Sequence, residues 1–92
     1  MPDVDESLVG YHIDYCFEYF DEDGDGTYLG WCDGVVQKIV DEKTRMVEIR
    51  WNKKKVMEGD PEVTRQKLLI RSWNPKNPSS GAWRQFIGDP NA

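Results

Sequence analysis

The sequence predicts a small, mostly β domain of about five strands. Three observations carry that expectation. From Tyr11 onward, Tyr11, Ile13, Tyr15, Phe17 and Tyr19 alternate with His12, Asp14, Cys16 and Glu18. The same period of two returns where Val47, Ile49 and Trp51 alternate with Met46, Glu48 and Arg50. Successive side chains of a strand point to opposite faces, so each run reads as a strand with one buried face. Around these runs, clusters of Gly, Pro, Asp and Asn interrupt any helix and favour turns.

Each element follows in order. Residues 1–9, MPDVDESLV, are acidic and without period, and read as a flexible lead-in. Residues 11–20 also carry helical spacing at Ile13, Cys16, Phe17 and Phe20. Three Tyr, and the lack of Ala, Leu, Lys and Arg, favour the strand. DEDGDG at 21–26 is an acidic, glycine-rich turn. A second strand is expected over 28–40: Gly30 and Gly34 each weaken a helix by about 1 kcal/mol, and Val35, Val36, Ile39 and Val40 are β-branched strand formers. Gly34 marks a close approach or a bend. DEKTR at 41–45 is a polar hairpin loop, and 52–60 is a longer polar excursion.

The last third is less periodic. Asp60-Pro61 has the form of a helix start, with Asp as cap and Pro at the first position. Thr64 is an alternative cap for a short turn through Leu68. Leu68, Leu69 and Ile70 are expected to be buried and to lead into a last short strand. Residues 73–92 read as a C-terminal extension in which Trp73, Trp83 and Phe86 anchor on the domain, with a loose end at 88–92.

Composition narrows the function classes. The chain has 92 residues, room for one domain. Its net charge of −5 makes it a poor generic nucleic-acid binder and suits a basic partner. Cys16 and Cys32 sit in apolar runs and read as buried free thiols in a reducing, nuclear or cytoplasmic, compartment. One His and two Cys fall short of a four-ligand zinc set, so no metal or other cofactor is expected. No apolar run approaches the roughly 18 residues of a membrane span. His12 is the single His, and no nucleophile elbow, P-loop or dinucleotide fingerprint accompanies it, so the domain reads as non-catalytic.

One motif points elsewhere. Asp21, Asp23, Asp25 and Gly26 match the first half of an EF-hand loop, where carboxylates converge on a hard cation. The second half departs from it. Tyr28 stands at the aliphatic eighth position, and Cys32 stands where a bidentate Glu belongs. The expected reading is an acidic hairpin tip, with calcium binding as a weaker alternative.

GWCDGVVQKI at 30–39, followed by MVEIRW at 46–51, resembles the core of Tudor-like domains. KLLIRSWNPK at 67–76 and GAWR at 81–84 are similar to the ending of such modules in some eukaryotic, often transposon-associated, proteins. The resemblance implies an SH3-like barrel over residues 10–72. It also implies a non-catalytic interaction module that binds a basic peptide, methylated or not, such as a histone tail. Recognition there is cation–π attraction inside an aromatic cage. The resemblance places cage positions near Phe17 or Tyr19, at Cys32 beside Trp31, at Trp51, and at about Lys54. Two of these four are not aromatic, which leaves a partial or relocated cage of Tyr19, Tyr28, Trp31 and Trp51 as the expected ligand-binding set. The alternative is a structural SH3-like module touching other parts of a larger protein, or nucleic acid through Lys53, Lys54 and Lys55. As an isolated domain it is expected to be monomeric.

Overall fold

The computed structural model describes residues 1–88 apart from Glu22, Pro75 and Pro78. The described residues form five strands: β1 (His12–Phe20), β2 (Thr27–Asp41), β3 (Met46–Trp51), β4 (Val63–Lys67) and β5 (Trp83–Gln85). Short 3₁₀ turns occur at Glu6–Leu8 and Ile70–Ser72. All ladders are antiparallel, in one sheet of order β4-β3-β2-β1-β5. The mostly β expectation therefore holds. Among the described residues the sheet is not closed into a barrel. The chain beyond β4 and its 3₁₀ turn meets β5 in an isolated parallel bridge between Trp73 and Trp83.

Register explains the core. β1 pairs with β2 so that Ile13 faces Gly34, Tyr15 faces Cys32, Phe17 faces Gly30 and Tyr19 faces Tyr28. Directly opposed residues share a face. That face continues onto β3, where Gly34 opposes Trp51 and Val36 opposes Ile49, and onto β5, where Tyr15 opposes Trp83. Ile13, Val36, Val47, Ile49, Leu68 and Trp83 are fully buried there. Gly34 is required by this packing. A Cβ would lie 2.6 Å from Ile49 Cγ2, 2.9 Å from the Arg50 carbonyl oxygen and 2.9 Å from Trp51 Cε3. β2 runs for 15 residues and shifts register twice against β3, after Val36 and after Ile39. Such irregularities bend a strand and let one long element curve around a small core.

The two ends of the chain contribute more than expected. Residues 1–9, read as a flexible lead-in, carry Val4 and Leu8 into the core cluster, with Leu8 only 1% exposed. Asp5 caps the turn that delivers Leu8 by accepting the Ser7 amide at 2.9 Å. The segment read as an extension supplies β5 itself, and the Trp83 indole donates to the Leu69 carbonyl at 2.7 Å. Trp73 meets Trp83 edge-on at 4.8 Å, and Phe86 stacks on His12 at 3.9 Å. The helix start read at Asp60-Pro61 is not formed. Val63–Lys67 pairs with β3 instead, since β-branched Val63 and Thr64 complete a ladder more readily than a helix. Leu68 is buried, whereas Ile70 is 60% exposed on the 3₁₀ turn. Of the loose end read at 88–92, only Gly88 lies within the described residues.

Candidate functional site

The aromatic face of the β1–β2 ribbon extends beyond the part of β2 that β3 covers. The β2–β3 ladder ends at Gly34–Trp51, so residues 27–33 of β2 pair with β1 alone. At that point the rings gather. Phe17 meets Trp51 edge-on at 5.0 Å, Tyr15 meets Trp51 at 6.0 Å, and Phe17 lies 6.2 Å from Tyr19. Tyr19 in turn stacks on Tyr28 at 5.3 Å. Gly30 makes room for this arrangement, because a Cβ there would stand 3.0 Å from the Tyr19 ring. The Trp51 indole donates to Thr64 Oγ1 at 2.7 Å, which fixes the ring's orientation.

Phe17, Tyr19 and Trp51 wall an open pocket of about 180 Å³ with Cys32 beside them. The 52–62 loop supplies its other side through Lys55, Val56, Met57, Asp60 and Pro61, and β4 adds Thr64 and Gln66. Burial pushes the Cys32 thiol and the Tyr19 phenol above their ordinary values, and the nearby Asp60 carboxylate acts on Tyr19 in the same direction. Both groups are therefore neutral at physiological pH. The pocket offers π faces, a neutral thiol and a carboxylate. That combination attracts a cation, and Lys55 is the one cationic side chain in the lining.

The opposite face of the ribbon has another chemistry. Asp14 and Asp33 face each other across β1 and β2, each only 3% exposed. Arg84 Nε donates to Asp14 Oδ2 at 2.9 Å, and the same guanidinium lies 3.9 Å over the Trp31 ring. Asp33 binds His12 Nε2 at 2.6 Å, Lys55 Nζ at 2.5 Å and Asn52 Nδ2 at 3.3 Å. Burial raises the Asp33 carboxyl, but the Lys55, His12 and Asn52 contacts outweigh it and hold the group below its ordinary value. The contact with Asp33 raises the Lys55 ammonium above its ordinary value.

The structure thus divides the residues that the sequence singled out. Tyr19 and Trp51 line one pocket, and Tyr28 adjoins it through the stack on Tyr19. Trp31 lies on the other face, opposite Cys16 and beneath Arg84. Phe17 and Cys32, two positions named through the Tudor-like resemblance, also line the pocket. Met57 and Val56 carried no sequence signal, because a polar loop has no period from which to read facing, and Asp60 signalled only a helix start. Lys53, Lys54 and Lys55 are all exposed, and Lys55 is drawn to Asp33. Asp21, Asp23 and Asp25 are exposed, and Asp21 Oδ1 accepts the Asp23 amide at 3.1 Å. Among the described residues, no three His, Cys, Asp or Glu side chains converge as a metal site. Comparison with protein-family models, curated proteins and solved structures finds no match.

Proposed function

We propose that this chain is a non-catalytic interaction module whose aromatic pocket takes a cationic side chain from a basic peptide, methylated or not, such as a histone tail. The observation that carries this reading is the gathering of Phe17, Tyr19 and Trp51 around one open pocket that also holds the Asp60 carboxylate. Each favourable ring contributes about 0.5–2 kcal/mol of cation–π attraction, more as the cation is desolvated. Methylation weakens hydration of the ammonium without removing its charge, so a methylated lysine gains more from such a pocket. The net charge of −5 adds long-range attraction for a basic segment.

The finer fold proposal is a small SH3-like barrel of the Tudor type. The long β2 with its two register shifts and the Trp73–Trp83 bridge between the chain after β4 and β5 support it. The rival reading, a nucleic-acid contact through residues 53–55, is weakened because Lys55 binds Asp33 and only two lysines of the run project freely.

The test is a titration of labelled protein with a basic peptide carrying lysine or trimethyl-lysine, followed by a short DNA duplex. We expect the Trp51 indole and the Phe17 and Tyr19 amides to shift with peptide, more strongly when it is methylated. Saturating peptide that leaves these signals unmoved, with DNA moving Lys53 and Lys54, would replace this reading with the rival.

A further inference from the structure

We propose that Asp33 is a positioning residue that keeps the aromatic pocket free by holding the chain's own cation, Lys55, away from the rings. The inference rests on the cation-binding reading and adds how the site is kept available. It starts from two facts about one side chain. Lys55 lines the aromatic pocket alongside Phe17, Tyr19 and Trp51. Its ammonium, however, is bonded to Asp33 Oδ1 at 2.5 Å, and Asp33 belongs to the opposite face of the ribbon.

The path between the two faces is the open edge of β2. Past Trp51 the chain leaves the sheet, and the Asn52 amide donates to the Asp33 carbonyl at 2.9 Å. The Asn52 carbonyl then accepts the Lys55 amide at 2.9 Å, and its side-chain oxygen accepts the Lys54 amide at 3.0 Å. This tight turn sets the Lys55 backbone at the border of the two faces. From there a four-carbon stem gives the ammonium two destinations, a buried carboxylate or a set of rings with Asp60 nearby. Rotation about side-chain bonds exchanges them, with no change in the sheet.

Asp33 wins because it is already built as an anion. It is 3% exposed, His12 Nε2 holds Oδ2 at 2.6 Å, and Asn52 Nδ2 reaches both oxygens at 3.3 and 3.5 Å. A buried carboxylate held in place by such donors binds an ammonium more strongly than exposed rings do. Neutralising Asp33 removes that preference. Lys55 is then tethered next to a cation pocket, where its effective concentration exceeds that of an external ligand.

The experiment uses the full chain, with tetramethylammonium as the probe, and four proteins: wild type, Asp33→Asn, Lys55→Gln and the double variant. Two quantities are read. The first is the chemical shift of the Lys55 ε-methylene protons in the absence of probe. In D33N these protons should move upfield under the ring currents of the pocket aromatics. The second is probe affinity. D33N should weaken it about tenfold, the scale of one lost cation–π site. The double variant should recover to within about twofold of K55Q, although K55Q repairs none of the hydrogen bonds that D33N breaks. A purely structural role for Asp33 predicts no such rescue.

Absence of the upfield shift in folded D33N, or a double variant as weak as D33N, would overturn the proposal. If none of the four proteins binds the probe, the cation-binding reading fails by itself, and the Lys55 shift still decides whether Asp33 restrains that side chain. If D33N does not fold, K55Q alone decides. The proposal requires it to bind the probe at least as tightly as wild type, and a loss there refutes it.

Discussion

On one face of the β1–β2 ribbon, Tyr15, Phe17, Tyr19 and Cys32 converge on Trp51. On the other, Asp14 and Asp33 meet Arg84, His12 and Lys55. Both faces come from the same alternation along the same two strands, yet they are completed differently. The aromatic face is held by non-directional contacts and can end in open space, because a ring with one bare side loses only part of its packing. The charged face is directional, and each buried carboxylate is completed by donors from distant segments. The open pocket walled by Phe17, Tyr19 and Trp51 therefore lies on the aromatic face, and the groups that fix the surrounding segments lie on the charged face.

The contrast can be broken at its strongest point first. Asp14→Ala leaves the Arg84 guanidinium, itself only 13% exposed in its side chain, without its buried carboxylate. The expected cost is about 3 kcal/mol in chemical denaturation, because removing one partner of a buried pair costs more than the pair contributes. Next comes the aromatic face at its tightest point. Gly34→Ala puts a methyl within 2.9 Å of backbone and of the Trp51 ring, and should cost about 2 kcal/mol through overpacking. Acidification sharpens the comparison further. The folded Asp33 pKa lies below its ordinary value of 3.8, so its stabilising contribution is complete above that value. It is lost as pH falls through the depressed folded pKa. The thermal midpoint should decline below about pH 4, and Asp33→Asn should flatten that decline.

Two smaller effects separate binding from stability. Tyr19→Ala removes a half-exposed ring from the pocket and should weaken a methylated basic peptide about tenfold. Its denaturation midpoint should change far less than that of G34A. Lys53→Ala combined with Lys54→Ala touches exposed side chains only. Stability should stay within about 0.5 kcal/mol and peptide affinity should not fall, as denaturation and titration would show. A fall in affinity would instead place part of the ligand on that loop.

How much of this is legible in the sequence depends on period. β1 and β3 are readable because their alternation is uninterrupted, and Gly34 because two valines follow it in a strand-forming run. β4 is hidden since Asp60-Pro61 imitates a helix start, while Val63–Lys67 has no strongly apolar face to reveal a strand. Val4 and Leu8 escape notice because two buried residues at a single turn make no pattern. The separation of Trp31 from the pocket is available in principle. Tyr28 and Trp31 are three residues apart on one strand, and an odd spacing sends side chains to opposite faces whatever the register. Phe17 is signalled by its even spacing from Tyr19. The loop side of the pocket has no such signal, because Met57 and Asp60 follow a turn anchored by the Asn52–Asp33 contacts, which only the folded chain brings together.

The position of β5 beside β1 has a consequence for the order in which this domain can form. Arg84 and Asp14 are 70 residues apart, and Trp83 sits in the core on a strand that pairs with β1. During synthesis, the β1–β2–β3 meander emerges early, with its hairpins free to zip locally. Until Trp83 and Arg84 leave the ribosome, the meander lacks a fully buried tryptophan and retains an unneutralised Asp14. Premature termination before Trp83 should therefore yield a chain that keeps its hairpins yet exposes its core.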